Sequence, residues 1–340
     1  MMNRDTLFRT LIVPQKAAFP IDHNSHGLFL GSCFTEHIGG AMQAHKFPVV
    51  VNPFGVLYNP ASIAGVVKRL LQNRPFELSD LYNYQERYLS FLHDTSFSST
   101  NPAVTLERMN TSYSQARKQL ERADYLFFTF GTARVFEHRS SGQIVSNCHK
   151  IPAREFYRRL LSVDDIVNQW QELLDTLWEQ HPARHIIFTV SPVRHWKDGA
   201  VGNQYSKAIL HCAIHQLVEQ DDRLHYFPSY EIMMDDLRDY RFYADDMIHP
   251  SEMAVNYIWE FFQDTYFKAS IKQLVQRIQK VRKAYQHRIL GDNSKALLTF
   301  AQKQLDEIEA LLEMLPKNAF QEEVRYFQDL IEQGKAPSLE

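Results

Sequence analysis

The sequence predicts an α/β protein, a five-stranded parallel sheet covered by helices on both faces, with a helical hairpin after it. Three observations carry this. Five short apolar runs are near-continuous rather than alternating, as strands buried on both faces are. Segments of helical period separate them, and strand alternating with helix implies parallel pairing through crossovers. From about Lys268 the pattern changes to long, charged helices.

In order, the strands are expected at 28–31, 48–52, 125–131, 185–191 and 224–227. Helices are expected at 35–45, 60–72, 163–180, 204–220 and 251–267, the last with Val255, Ile258, Trp259 and Phe262 on one face. Two stretches leave this rhythm. The segment 76–108 is aromatic and irregular, and reads as an excursion over one edge. Val135-Phe136-Glu137-His138 and Gln143-Ile144-Val145 flank a turn that holds Gly142, which predicts a β-hairpin, and Asn147-Cys148-His149-Lys150 follows it. Both excursions begin beyond strand ends or the helices after them, where each can wall a pocket. The tail pairs 272–286 with 294–315, where Leu298, Leu305, Ile308, Leu311 and Leu312 share a face and Pro316 stops the second helix. The division is therefore 1–267 for the α/β domain and 268–340 for the tail, whose last residues, 334–340, are expected to fray.

Bulk composition narrows the function. The 340 residues are 44% apolar and 23% charged, and 37 basic against 40 acidic side chains leave a formal charge of −3. That is ordinary for a soluble globular chain, and no global basicity argues for nucleic acid. Cys33, Cys148 and Cys212 are too few and too scattered for a disulfide framework. The first twenty residues carry Arg4, Asp5, Arg9 and Lys16 and have no apolar core like a secretory signal, and no run approaches the ~18 apolar residues of a membrane span. A cytoplasmic protein with no membrane partner is expected.

The chemistry concentrates in two segments far apart in sequence. Leu28-Phe29-Leu30-Gly31-Ser32-Cys33-Phe34 reads as a buried strand that stops at a glycine and puts Ser32 at a helix N-terminus. Parallel sheets bind ligands beyond the C-terminal ends of their strands, and Ser32 stands at one. Taken alone it is simply an N-cap. Asp245-Asp246-Met247-Ile248-His249-Pro250-Ser251 supplies the partners: Asp246 orients an imidazole, and His249 serves as base. Asp-x-x-His alone is a weak signal, whereas with Ser32 it completes the equipment for acyl transfer. Cys33, His37, Cys148 and His149 are ligand types that suit zinc, but their spacing matches no strong zinc signature, so neither metal nor cofactor is expected. Cys33 reads as a packing residue beside the nucleophile.

Gly31-Ser32-Cys33-Phe34 resembles the signature of the GSCFA family, with Thr35 where that signature has alanine. Also similar to this family are Asn52-Pro53-Phe54-Gly55-Val56-Leu57-Tyr58-Asn59-Pro60, Phe130-Gly131-Thr132-Ala133, Asn147-Cys148-His149-Lys150, Thr189-Val190-Ser191-Pro192-Val193-Arg194-His195 and the run from Asp239 to Ser251. The match covers about 28–267. That family resembles in turn the SGNH, or GDSL-like, hydrolases. The resemblance implies a three-layer α/β/α sandwich with flavodoxin-like strand order, Ser32 as nucleophile, His249 as base, Asp246 as its orienter, and an N–H of Gly55 in the oxyanion hole. It departs at the third block, where those enzymes carry an asparagine two positions after a glycine and this chain has Gly131-Thr132-Ala133. Losing such a donor costs ~10²–10³ in rate. Three explanations stay open: Asn52 or Asn147 supplies the amide, Thr132 donates instead, or the protein is a poor hydrolase.

Further polar groups are expected at the same rim: His149 beside Asn147, Arg194 and His195 after the fourth strand, and Asn203 at the opening of the next helix. Arg194 and His195 suit an anionic or sugar substrate, or surface ion pairs. The expected function is a serine esterase or O-acyltransferase acting on a small ester or O-acylated carbohydrate. A binding module that kept the fold and lost the activity is the alternative, and the C-terminal helices are one route to a homo-oligomer.

Overall fold

The computed structural model describes residues 10–286 and 294–335. Expectations for the extreme ends of the chain fall, at 1–9 and 336–340, outside the described residues. The sheet is as expected: β1 (Gly27–Gly31), β2 (Val49–Val51), β3 (Tyr125–Phe130), β4 (His185–Val190) and β5 (Leu224–Tyr226) pair in parallel in the order β2-β1-β3-β4-β5. Gly31 stands in register with Thr129, and Thr129 with Thr189, so the C-terminal ends of the three central strands are level. Strand order reverses at β1, which opens a crevice beyond its end.

Period-two alternation divides the strand side chains between two cores. Leu28, Leu30, Leu126, Phe128, Phe130 and Phe188 face one layer, formed by α2 (Pro60–Leu71), α3 (Pro102–Arg122), α4 (Val163–Gln180) and α5 (Gly199–Val218). Phe29, Phe127 and Ile187 face the other, formed by α1 (Cys33–Ala44) and α6 (Glu252–Tyr266). Trp170 of α4, fully buried against Phe128, Phe130 and Phe188, is a keystone of the first core, and truncating such a residue costs ~3–5 kcal/mol. Helix starts follow the local code. Asn59 caps α2 ahead of Pro60, Ser162 and Asp165 form a capping box on α4, and Ser251 caps α6.

Three elements extend the sequence reading. Helix α3 emerges from the irregular stretch; its buried stripe of Thr105, Met109, Tyr113, Ala116 and Leu120 is one residue wide in an otherwise polar helix. The expected hairpin, Arg134–His138 with Ile144–Val145, gains a third antiparallel strand, Phe156–Leu160. That strand exposes Tyr157, Arg158 and Arg159 in succession, so no alternation marks it. The tail is a unit of α7 (Ala269–Gln286), α8 (Ser294–Leu312) and α9 (Gln321–Lys335), one helix more than a hairpin, because Phe320 and Phe327 join Ile278, Val281, Ile308 and Leu311 in a third core. Among the described residues no helix is long and apolar enough to cross a membrane.

Candidate active site

Strand β1 turns into α1 at Gly31, where φ is +152° and a side chain would run into the Thr129 backbone of β3. Only glycine passes that point. Ser32 follows with extended backbone and occupies the N-cap position of α1, yet its hydroxyl accepts from no first-turn N–H. It is 1% exposed, and its Oγ has no hydrogen-bond partner among the described residues. An ordinary capping serine would have spent that oxygen on the helix. Here it is held in reserve beside the first backbone N–H groups of α1, where negative charge is favoured.

The segment from Asn52 to Tyr58 laces the neighbouring strand ends together. Asn52 adopts φ 43°, and its Oδ1 accepts the Gly31 N–H at 2.9 Å. Leu57 N–H donates to the Gly31 carbonyl at 2.9 Å, and the Tyr58 carbonyl accepts from Gly131 and Thr132 at 2.8 and 2.9 Å. Gly55, at φ +77°, donates its own N–H to Asn52 O at 2.8 Å, and a Cβ there would collide with the Asp94 carboxylate. Gly131 closes the other side, since a Cβ on it would stand 3.4 Å from the Ser32 Cβ.

This lacing corrects the expected oxyanion donors. The N–H groups of Gly55, Gly131 and Thr132 are all engaged by carbonyls, as buried backbone requires. The Thr132 hydroxyl meets Ser206 Oγ at 3.0 Å and accepts from the Arg134 N–H. Of the candidates for the missing amide, Asn147 turns its Oδ1 onto the His149 N–H at 2.8 Å. Asn52 is different. Its Oδ1 is fixed by the residue that precedes Ser32, while its Nδ2 is buried with no partner among the described residues. A buried amide donor left unpaired costs ~1–3 kcal/mol, which is tolerated where a ligand will satisfy it.

The Asp-His loop is built locally. Ala244 N–H donates to the His249 carbonyl and Ser251 N–H to the Phe242 carbonyl, both at 2.8 Å, and Met247 makes the turn at φ 59°. Asp246 Oδ1 accepts the Ile248 and His249 N–H groups at 2.9 Å each, and its Oδ2 meets His249 Nδ1 at 2.6 Å. The His249 backbone and ring bonds, then the Ile248 N–H, hold the Asp246 carboxyl down at about 2, so it is ionised at neutral pH. With the carboxylate on Nδ1, Nε2 is the ring nitrogen of His249 left to accept a proton. Both side chains are nearly half exposed. Burial lowers His37 in the second turn of α1, with Glu36 opposing and the neighbouring His249 adding to it, which places the loop near the helix that Ser32 begins. Ser32 Oγ and His249 are not hydrogen-bonded to each other in this structure.

Beyond Tyr58, Asn59 and Thr132 lies a cavity of about 500 Å³ walled by the three-stranded excursion. Asn147 and His195 line it. His149 does not; it is 8% exposed, with Nε2 on the Ser90 carbonyl at 2.8 Å and Nδ1 3.4 Å from Thr95 Oγ1, so it braces one excursion against the other. Arg194 turns away from the cavity to Met234, and its charge is felt at Tyr230 and Tyr243. Asn203 supports the rim from below, accepting the His195 N–H at 2.9 Å.

Asp198 escaped the sequence reading, as did the full burial of Lys207. Asp198, with no exposed side-chain surface, pairs with Arg134, Arg158 and His195 under the cavity rim. Those residues come from three segments and share no motif. Lys207 is fully buried, with Nζ on the Ser191 carbonyl at 2.6 Å; burial, with the charge of Arg194, outweighs the nearby Cys33 and brings its ammonium down to about 7. A lysine inside the first turns of a helix that follows a strand end was the available hint. Cys33 and Cys148 are poor thiol nucleophiles at neutral pH. Burial, with Glu36, pushes Cys33 up, and burial alone pushes Cys148 to about 11. No three His, Cys, Asp or Glu side chains among the described residues come together as a metal site.

A family model described as the GSCFA family matches residues 27–262, and one described as the GSCFA domain protein, C-terminal domain, matches 278–333. Among curated proteins no relative matches. A solved carbohydrate esterase family 3 from Talaromyces cellulolyticus is similar at 9% identity over 75% of this chain and 99% of that one, with a TM-score of 0.33, too low to bear on function.

Proposed function

The chain belongs to the GSCFA family, and from that premise we propose that it is a serine esterase or O-acyltransferase of SGNH type, with Ser32, His249 and Asp246 as its triad. One observation carries the reading: a buried hydroxyl at the switch-point end of β1 and an amide nitrogen of Asn52, whose oxygen holds the residue before that serine, both lack a partner among the described residues. Both atoms lack what a substrate ester supplies. Ser32 Oγ attacks the carbonyl carbon as its proton passes to His249 Nε2, and Asp246 stabilises the imidazolium without taking the proton. The oxyanion is received by Asn52 Nδ2 and the first N–H groups of α1. His249 then protonates the leaving alcohol, and water or an acceptor alcohol resolves the acyl-enzyme.

The second reading, a binding module in the same fold, is favoured by the absence of a Ser32–His249 hydrogen bond. Such bonds are often long before substrate binds, which keeps catalysis the better account. Labelling of the purified chain with a fluorophosphonate separates the two. Labelling lost in Ser32→Ala and cut at least a hundredfold in rate in His249→Ala is expected. A folded wild-type chain that resists both a bulky and a small probe overturns the triad.

A further inference from the structure

The cavity beyond Thr132 has a one-sided charge. Its lining includes Arg134, Arg158 and Lys197 and no acidic residue. The carboxylate paired with this lining, Asp198, lies behind the wall, where it meets Arg134 at 3.2 Å and also Arg158. One buried anion beneath three cations leaves a surplus of two positive charges, without counting His195, whose proton affinity is lowered by burial and by the neighbouring cations. Arg158 is itself drawn down by burial and by Arg134. Arginines held in place by a fixed carboxylate present ordered N–H groups for bidentate carboxylate recognition. Ser146 adds a buried hydroxyl with no partner among the described residues, and Phe136, Val145, Ile151 and Phe156 supply apolar wall.

The position of this cavity assigns which half of an ester it holds. Its apolar walls belong to the excursion core, and its lining reaches the layer of α2 to α5 through Asn59, which caps α2, and through Thr132 and His195, which bond to Ser206 and Asn203 of α5. The Asp-His loop is joined through Phe242 and Tyr243 to the opposite layer, that of α1 and α6. A base that returns its proton to the leaving alcohol must stand on the alcohol's side of the scissile bond, so the acyl chain points the other way, into the cavity.

We propose that the cavity is an acyl site for esters whose acyl chain ends in a carboxylate, bound by Arg134, Arg158 and Lys197. The assignment to the acyl half rests on the triad reading above; the binding of a carboxylate does not. Three esters of similar size separate the cases: monoethyl succinate carries its charge on the acyl half, O-acetylglycolate on the alcohol half, and ethyl butyrate has none. kcat/KM for monoethyl succinate is expected at least tenfold above either of the others. In Arg158→Gln the succinate-to-butyrate ratio falls about tenfold. In Lys197→Gln, at an exposed side chain that does not touch Asp198, it falls severalfold. Equal or better hydrolysis of the other two esters overturns the proposal. If no ester is cleaved, the triad reading fails by itself, and calorimetric titration of the same three compounds decides the cavity. Selective binding of monoethyl succinate, weakened in both variants, upholds it, and indifference to charge overturns it.

Discussion

The two halves of the candidate triad are built in opposite ways. Ser32 is sealed at the end of three level strands, and nearly every backbone group around it is committed: Gly31 to Asn52 and Leu57, Gly131 and Thr132 to Tyr58. His249 stands on a loop that satisfies itself within a few residues and leaves its ring nearly half exposed. The nucleophile is placed by long-range packing, and the dyad by a local turn. That division teaches where tolerance lies. Errors near Ser32 disturb the sheet, whereas errors in the loop stay within its own turn.

The comparison can be broken first at the loop. Asp246→Asn keeps an acceptor for the Ile248 and His249 N–H groups but loses the negative charge and the preferred tautomer. The expected outcome is a fall of ~10³–10⁴ in kcat, with thermal stability nearly unchanged because the carboxylate is solvent-exposed. A variant that keeps its activity would show that the local turn alone orients His249.

A smaller effect is expected on the sealed side. Asn52→Asp preserves the oxygen that receives the Gly31 N–H and removes the Nδ2 donor. kcat should drop by ~10²–10³ with KM little altered, the pattern of an interaction made only in the transition state. Loss confined to KM would assign Asn52 to ground-state binding.

The smallest effect concerns the charge buried beside the sealed half. Burial lowers Lys207 from 10.5 to about 7, so between those values the folded chain has released a proton that the unfolded chain still holds. Stability therefore rises with pH across that window, by at most ~1.4 kcal/mol per pH unit, and is independent of this group below about pH 7. Urea titrations at pH 7, 8 and 9 should show the rise in wild type and a flatter profile in Lys207→Met. Equal slopes would mean that Lys207 stays charged inside the fold.

Much of this site was legible in the chain. Gly31-Ser32 announces a strand end and a helix start, and Asp246 with His249 announces its dyad through spacing within one turn. Asn52 was readable only as one of several amides. Its distinction from Asn147 lies in which oxygen is spent on which N–H, and both residues look alike in sequence. The Gly55 donor read from the family resemblance failed because the turn uses that N–H internally. The cationic rim was invisible for a further reason: Arg134, Arg158 and Asp198 belong to a strand, another strand and a helical turn that meet only when the excursion folds back.

By itself the sequence determined the five strands, most of the helices between them and the two candidate segments, because side-chain period and short-range spacing are properties of contiguous residues. Tertiary structure alone decided which polar groups around Ser32 are spent, that Asp198 underlies a positive rim, and that the Asp-His loop and the cavity join different helical layers. Hydrogen bonding and charge balance depend on partners, and here the partners arrive from distant parts of the chain.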